Sequence, residues 1–424
     1  MPCLLPTPYP GRSLLLAALI TGLVGCASSS QPQPAAPIDY PNSSPSPEPT
    51  PAAPPAGPLA EAPPSLPPPE AIKPAPSTSR PASQDPRAAR QLLNRLLPAK
   101  IPERAGWAQD IFHAFEGLQI PYTAEYFCAA IATIEQESSW QSDPVVPGLN
   151  RMVWQQIGER ADKYGIPMSV VKAALGKTSP NGRSYRERID GLRTEKQMNL
   201  LFEDMSAEAK RLGLPLNMQN PIRTGGPMQV SVAFASGHAA VWPYPYSYQG
   251  SLRHEVFTRR GGTYFGIANL LHYRAPYRDM HFRFADYNAG RYSSRNAAFQ
   301  AAVASLVKPK LDLDGDLLRY EAGRVSRQAS STLQALHGLA ARLKLSRAEI
   351  ERDLLLEKEA RFEQSPLYQR VFALADGVAG KPLPRAVFPQ IRLHSPKISR
   401  KLTTEWFAKR VDWRYRNCLS RVSS

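Results

Sequence analysis

The sequence predicts an all-α fold, mainly helical with room for one small hairpin, for residues 87–424. Apolar residues recur at helical spacing through most of this region, and neither alternating strands nor an internal repeat is present. A capping box formed by Ser346 and Glu349 marks the start of one of the later helices. The periodic segments are 106–118, 124–140, 152–164, 168–176, 193–212, 262–273, 295–306, 331–344, 347–362 and 403–410.

The N-terminus has the features of a secretory signal. Arg12 precedes the apolar run 14–23, which is too short to span a membrane. The letters LVGC, ending at Cys26, resemble the lipobox of bacterial lipoproteins. That resemblance implies that residues 1–25 are removed as a signal peptide and that Cys26 is lipidated. It also implies sorting to the outer membrane, facing the periplasm, because Ala27 follows the cysteine. A plain signal peptide or a buried cysteine is the alternative.

A proline-rich segment follows Cys26. Residues 27–86 contain 20 prolines in 60 positions, mixed with alanine, serine, glutamine and glutamate. Such a composition cannot bury enough apolar surface to offset the entropy lost on ordering, so residues 26–86 are predicted to form a lipidated, disordered tether. Its reach is at most roughly 190 Å at the rise of a polyproline helix.

The folded region is strongly basic. The whole chain carries a net charge of +16; the signal contributes +1 and the tether −3, which leaves +18 for residues 87–424. A field of this sign attracts polyanions. Export excludes nucleic acid as a partner, and no nucleic-acid-reading motif is present. The anionic polymers of the envelope remain, namely peptidoglycan, teichoic-type polymers and lipid headgroups, beside the alternative of a merely solubilising surface.

The cysteine count agrees with export. The chain has four cysteines, of which Cys3 leaves with the signal and Cys26 takes the lipid. Cys128 and Cys418 remain as an even pair, which favours a disulfide in an oxidising compartment. Two separate buried thiols are the alternative, because spacing alone does not determine pairing.

The segment FCAAIATIEQESSW, residues 127–140, reads as an apolar helix that ends in two glutamates. At about 100° per residue, Glu137 lies within roughly 60° of its apolar face and Glu135 points about 160–180° away from it. Both the apolar wall and the negative helix C-terminus favour a protonated Glu137 carboxyl. This is what a general acid for glycosidic cleavage requires. A buried structural glutamate is the equal alternative, and Glu135 is interpreted as a solvated or structural acid.

Two later stretches give this helix a context. Residues 225–231 read GGPMQVS and residues 285–290 read ADYNAG. In the order Glu-Ser, Gly-x-Met-Gln and Tyr-Asn-Ala-Gly, the three pieces resemble the lytic transglycosylases related to goose-type lysozyme. The resemblance covers residues 127–291, about two-fifths of the chain. It implies a lysozyme-like helical domain with a groove for a glycan strand.

The resemblance implies one catalytic residue and five substrate-binding residues. Glu137 matches the single catalytic acid/base of the family. The serine that follows it helps to bind substrate at the cleavage point, the Met-Gln pair shapes the cleft floor, and the tyrosine approaches the catalytic glutamate. The five binding positions are Ser138, Met228, Gln229, Tyr287 and Asn288.

The implied reaction cleaves the β-1,4 bond between N-acetylmuramic acid and N-acetylglucosamine in peptidoglycan. One carboxyl protonates the glycosidic oxygen and then removes the proton from the muramic acid C6 hydroxyl, which closes a 1,6-anhydro ring. No cofactor and no metal are needed. If water replaced that hydroxyl, the site would be a muramidase.

The sequence also departs from the family pattern. Ser138 and Gly226 lie 88 residues apart, which predicts a helical insertion over about 150–223. A helical C-terminal extension over about 306–424 is predicted after the last motif. Pro227 replaces an aliphatic residue and Asp286 an alanine; Asp286 is either a second acid or a salt-bridged or solvated side chain. A peptidoglycan-binding lipoprotein without turnover is the alternative to an enzyme.

Two further stretches carry weaker patterns. Residues 312–316, DLDGD, only partly match a calcium loop, since the glycine comes too early and the last glutamate is absent; a turn before a helix is the preferred interpretation. The aromatic run 242–248 either lines a sugar groove or forms a tyrosine-rich surface loop. The seven histidines show no zinc-binding spacing.

Overall fold

The computed structural model of the protein describes residues 85–211, 220, 222–308, 310–321, 324–393 and 402–422. The described chain is mainly helical, which confirms the all-α class. The signal peptide, Cys26 and nearly all of the tether lie outside the described residues. Buried apolar side chains form three clusters, which we call the main body, the insertion and the C-terminal unit.

The helices and strands are numbered in chain order. The helices of the first half are α1 Pro86–Leu96, α2 Arg104–Gly117, α3 Ala124–Ser138, α4 Leu149–Lys163, α5 Met168–Ala174, α6 Tyr185–Asp190 and α7 Glu195–Arg211. Those of the second half are α8 Val232–Val241, α9 Leu252–Val256, α10 Arg259–Leu271, α11 Met280–Ala289, α12 Ser293–Ala304, α13 Ser331–Leu343, α14 Arg347–Leu354, α15 Pro366–Ala379 and α16 Thr404–Leu419.

Short antiparallel pairs and two 3₁₀ helices complete the described structure. The strand pairs are β1 Thr224–Gly225 with β2 Val230–Ser231, β3 Tyr320–Glu321 with β4 Arg324–Val325, and β5 Arg392–Leu393 with β6 Leu402–Thr403. The 3₁₀ helices are Ala360–Gln364 and Ser420–Val422. Among the described residues, no helix combines the length and the apolar character needed to cross a membrane.

The ten periodic segments all contain helix, but several helices escaped prediction. Helices α6 and α9 are only six and five residues long, too short to show a period. Helices α1, α8, α11 and α15 also lie outside the predicted segments. The predicted 347–362 segment contains α14 and a separate 3₁₀ helix. The capping box of Ser346 and Glu349 is confirmed at the start of α14.

The predicted end of the tether is two residues too late. Asp85 caps helix α1 by accepting hydrogen bonds from the backbone N–H groups of Arg87 and Ala88, and Pro86 occupies the first turn. A proline is tolerated there because its missing N–H would have no partner in the helix. The proline-rich composition therefore ends inside a capping motif.

Helix α3 lies at the centre of the main body. Every residue from Phe127 to Ile134 is buried, and three of them are alanines, so neighbouring helices can approach closely. Helices α1, α10 and α16 pack around α3, while α11 packs against α10 and α16. The main body thus surrounds an almost wholly apolar helix that ends at Ser138.

Helix α16 joins the end of the chain to this core. Cys128 on α3 and Cys418 on α16 form a disulfide, and the carboxylate of Glu135 pairs with Arg414 at 3.5 Å. Residues Phe407, Ala408 and Val411 of α16 belong to the core of the main body. The predicted C-terminal extension of about 306–424 is therefore not one unit, because its last helix returns to α3.

The insertion has a core of its own. Helices α4 to α7 bury apolar side chains between Val146 and Ile222, close to the predicted span of about 150–223. The C-terminal unit is formed by helices α12 to α15 around Phe299, Phe362 and Leu336. Each of these two clusters is contiguous in sequence apart from Phe257, which joins the core of the insertion from α9.

Candidate functional site

Glu137 occupies the last turn of helix α3. The helix ends because Ser139 and Trp140 both adopt left-handed backbone conformations, with φ of 49° and 66°. Trp140 is buried against Trp107 of α2, with ring centroids 5.4 Å apart in an edge arrangement. This packing fixes the chain reversal and leaves Glu137 at the end of the buried helix, where its side chain is half-buried.

The surroundings of Glu137 favour its protonated form. Burial, reinforced by the negative charge of Glu195, raises the pKa of Glu137 from 4.5 to about 8. Neither a hydrogen bond nor a positive charge from the described residues offsets these two effects. The carboxyl therefore holds its proton at neutral pH, as general acid catalysis requires.

The Gly-x-Met-Gln stretch forms a tight hairpin. Strands β1 and β2 pair through Gly225 and Val230, and the turn between them includes Gly226 with φ of +72°. A Cβ on Gly226 would lie 2.2 Å from the carbonyl oxygen of Val256, so only glycine fits. Gln229 ends the turn with φ of 49° and is half-exposed.

The hairpin packs closely against a face of helix α10 that carries glycines. A Cβ on Gly262 would lie 2.5 Å from Cδ of Pro227, and a Cβ on Gly266 would lie 2.3 Å from Sδ of Met228. The two glycines are one helical turn apart, so they lie on the same face of α10 and leave it without side chains that would block the hairpin. Pro227, the departure from the family pattern, fits on this face. Met228 is fully buried and supports the hairpin from below instead of facing solvent.

Tyr287 connects the three motif segments. Its hydroxyl donates a 2.5 Å hydrogen bond to the carbonyl oxygen of Met228. Burial, reinforced by the negative charge of Glu137, raises the pKa of Tyr287 well above its ordinary value, so the phenol stays neutral. The structure thus brings together the end of α3, the hairpin and helix α11, although they are far apart in sequence.

Two predicted binding residues make structural hydrogen bonds. The Ser138 hydroxyl donates to the carbonyl oxygen of Ile134 one turn earlier, and the serine is buried. Asn288 is also buried, and its Oδ1 accepts a 3.0 Å hydrogen bond from the hydroxyl of Thr404 at the start of α16. The predicted substrate contacts of these two residues stay predictions; the structure gives both side chains a supporting role.

Asp286 is a buried, hydrogen-bonded structural residue, which fits neither a second acid in the cleft nor a solvated or salt-bridged side chain. It is buried and accepts hydrogen bonds from the hydroxyl of Tyr273 and from the backbone N–H groups of Tyr292 and Ser294. Burial raises its pKa to about 6 although these hydrogen bonds act in the opposite direction. The sharp turn at Gly290, with φ of 110°, brings this carboxylate to the start of α12, which it caps.

The aromatic run 242–248 lies in a loop that partly packs onto the main body, and its role in lining a sugar groove stays a prediction. The Trp242 indole donates to the carbonyl oxygen of Gly117, and the Tyr244 hydroxyl donates to the carboxylate of Glu255. The Tyr244 ring stacks on Phe265 of α10 at 4.9 Å. Only the end of the run, Tyr248, is exposed among these aromatic rings.

The DLDGD loop is held by contacts to a lysine and a glutamine. The Lys358 ammonium pairs with Asp316, and Gln300 donates to Asp314 at 2.8 Å. The loop leads into strand β3, and the next helix, α13, starts only at Ser331, so the preferred interpretation of a turn before a helix was wrong. In the described ranges, no group of three or more histidine, cysteine, aspartate or glutamate side chains could hold a metal ion.

Glu195 is a site residue that the sequence did not indicate. It is the first residue of helix α7 in the insertion and is buried, yet its charge acts on Glu137. Fifty-eight positions separate the two glutamates in the sequence, and no helical or strand periodicity relates them. The one sequence feature that could have pointed to Glu195 was the insertion itself, because it starts shortly after Glu137.

Comparisons with known proteins place the chain beside uncharacterised relatives. The family model described as "Protein of unknown function (DUF1615)" matches residues 100–421. The chain is 46% identical over 328 residues to a protein of Escherichia coli (strain K12) described as "Uncharacterized protein YaiW", covering 77% of this chain and 88% of that protein. No solved structure matches the chain.

The raised pKa of Glu137 predicts a pH-dependent stability difference. The folded carboxyl titrates near pH 8 and the unfolded one near its ordinary 4.5, so the folded state binds more protons between these values. The stability that Glu137 contributes is therefore lost as the pH rises from 4.5 to 8. We expect Glu137→Gln to match the wild type at pH 4.5 and to exceed its free energy of unfolding by roughly 1–4 kcal/mol at pH 8.5. Urea unfolding across this pH range measures the difference.

The matched control is Glu135→Gln, which removes a glutamate on the same turn that already has an ion-pair partner. Its difference from the wild type should not grow with pH in this way. An equal stability of the Glu137→Gln variant and the wild type at pH 8.5 would contradict the raised pKa.

Proposed function

We propose that this chain, which belongs to the DUF1615 family, is a peptidoglycan lytic transglycosylase that acts in cell-wall remodelling. One observation carries the proposal: a half-buried carboxyl that keeps its proton at neutral pH stands beside two segments that resemble the substrate-binding motifs of lytic transglycosylases. Glu137 supplies that carboxyl. Gln229 belongs to the first segment, and Tyr287 belongs to the second and donates a hydrogen bond to the first.

In the proposed reaction, Glu137 gives its proton to the glycosidic oxygen between N-acetylmuramic acid and N-acetylglucosamine. The bond from C1 of the muramic acid to this oxygen breaks, and the N-acetyl group of the same sugar stabilises the positive charge on C1. The Glu137 carboxylate then takes the proton of the C6 hydroxyl as its oxygen bonds to C1. The carboxyl is restored, and the product carries a 1,6-anhydro ring.

The surrounding residues have distinct parts in this proposal. The half-exposed Gln229 contacts the glycan in this proposal; in the structure its amide donates a 3.4 Å hydrogen bond to the carbonyl oxygen of Gly226 in the same turn. Tyr287 holds the hairpin against the end of α3 and stays uncharged. Ser138 and Asn288 fix the helix end and the start of α16. This chemistry uses protein groups and substrate groups alone.

We propose further that the protein is an outer-membrane lipoprotein facing the periplasm, with peptidoglycan strands as its polymeric partner. The LVGC motif at Cys26 and the basic charge of the folded region support this location. In cells, Cys26→Ala should release the protein from the membrane fraction into the soluble fraction. Retention of that variant in the membrane would contradict a lipid anchor at Cys26.

Digestion of purified peptidoglycan sacculi tests the activity. We expect the purified protein to release muropeptides with 1,6-anhydro ends, identified by mass spectrometry. The Glu137→Gln variant should release at least about 100-fold less, since a general acid contributes on this scale. The Glu135→Gln variant is the control, because it removes the neighbouring carboxylate on the opposite side of the helix and should keep the activity.

The other outcomes identify the alternatives. Products with reducing ends would indicate a muramidase at the same site. Sacculus binding by the wild type without any product would indicate the peptidoglycan-binding protein without turnover. Equal activity in the Glu137→Gln variant and the wild type would exclude Glu137 as the acid.

A further inference from the structure

The insertion places a second carboxylate beside the candidate acid. Glu195 begins helix α7 and is 5% exposed, so its charge is largely removed from solvent. It is the one charged group of the described residues whose charge acts on Glu137. A negative charge at this position favours the protonated state of a neighbouring carboxyl because two adjacent carboxylates repel each other.

Backbone pairing fixes Glu195 near the end of helix α3. The chain that follows α3 pairs with the segment just before α7, through an antiparallel bridge between Val145 and Thr194. The N–H of Val146 donates to the carbonyl oxygen of Arg193 at 2.8 Å, and the Thr194 hydroxyl donates to Asp143 at 3.0 Å. These bonds join the insertion to the main body within nine residues of Glu137. The position of Glu195 is therefore built into the joint between the two clusters.

The two carboxyls sit at opposite kinds of helix end. Glu195 is in the first turn of α7, where the helix dipole is positive and favours a negative charge. Glu137 is in the last turn of α3, where the dipole is negative and disfavours one. The two helix ends thus favour a negative charge at the position of Glu195 and disfavour one at the position of Glu137, as in enzymes that use two carboxyls for different roles.

We propose that Glu195, supplied by the insertion, is a positioning residue that keeps Glu137 protonated for proton transfer to the glycosidic oxygen. The proposal rests on the proposed function for its consequence, although the effect on Glu137 exists without substrate. It also gives the insertion a part in the site: without α7, the main body would still bury Glu137 but would lack the negative charge that reinforces the effect of burial.

The other ionisable groups around this site do not replace Glu195. Tyr287 of α11 is neutral, and Glu135 of α3 pairs with Arg414 of α16 on the far side of the helix. Asp143 accepts the hydrogen bond of Thr194 and is influenced by the positive charge of Lys196, and it is not among the causes of the shift in Glu137.

A carbon-detected NMR titration of the purified protein tests the proposal. Glutamate labelled with ¹³C at Cδ reports each carboxyl, and the resonances of Glu137 and Glu195 are identified by their loss in the Glu137→Gln and Glu195→Gln variants. In Glu195→Gln, the pKa of Glu137 should fall by roughly half a unit to two units, the range expected when one neighbouring charge is removed from a partly screened site. The alkaline limb of sacculus digestion should move to lower pH by the same amount.

Two variants provide the controls. Glu159→Gln removes the same charge from the exposed face of α4 in the insertion and should leave the Glu137 titration unchanged. Glu195→Asp keeps the charge and should retain most of the wild-type Glu137 pKa. An unchanged Glu137 pKa in folded Glu195→Gln would overturn the proposal.

If Glu195→Gln does not fold, the same titration of the wild-type protein tests the proposal. Its Glu195 resonance should then show an inflection at the pH at which Glu137 ionises, and a flat response there would overturn the proposal. The titration also separates this proposal from the enzymatic one. A shifted Glu137 pKa without any sacculus digestion would reject the proposed function and keep the electrostatic role of Glu195; digestion with an unshifted pKa would do the reverse.

Discussion

Partial burial of the Glu137 side chain at the end of helix α3 is the constraint on which the candidate site depends. A carboxylate in such surroundings loses hydration that the described neighbours do not replace, so the proton stays. This condition exists only because helix α3 is buried along almost its whole length and is surrounded by α1, α10 and α16. The packing of the main body therefore sets the chemistry of one side chain at the end of its central helix.

The rest of the main body holds the other motif segments against that helix end. Glycines at one face of α10 let the hairpin approach closely, and the Tyr287 hydroxyl ties the hairpin to α11. Helix α16 packs against α3 and is joined to it by the Cys128–Cys418 disulfide. Its Thr404 donates a hydrogen bond to Asn288. The last helix is thus part of the site's support, although 114 residues separate its first residue from Gly290.

Periodicity was enough to predict the helical class and the face on which Glu137 lies, because both depend on local spacing. It could not predict contacts that form only in the folded chain. Asp286 was considered as a cleft acid because it replaces an alanine of the family pattern. Its capping of α12 could not be predicted, because the turn at Gly290 that brings it there has no sequence period. Glu195 was missed for the same reason, since its approach to Glu137 depends on the pairing of Val145 with Thr194 across the insertion.

The most direct test of the account is a crystal structure of the Glu137→Gln variant with a peptidoglycan tetrasaccharide. The account predicts that a glycosidic oxygen lies within hydrogen-bond distance of the side chain at position 137, with Gln229 in contact with an adjoining sugar. A tetrasaccharide bound away from the end of α3, or an insertion that fills the space beside position 137, would contradict it.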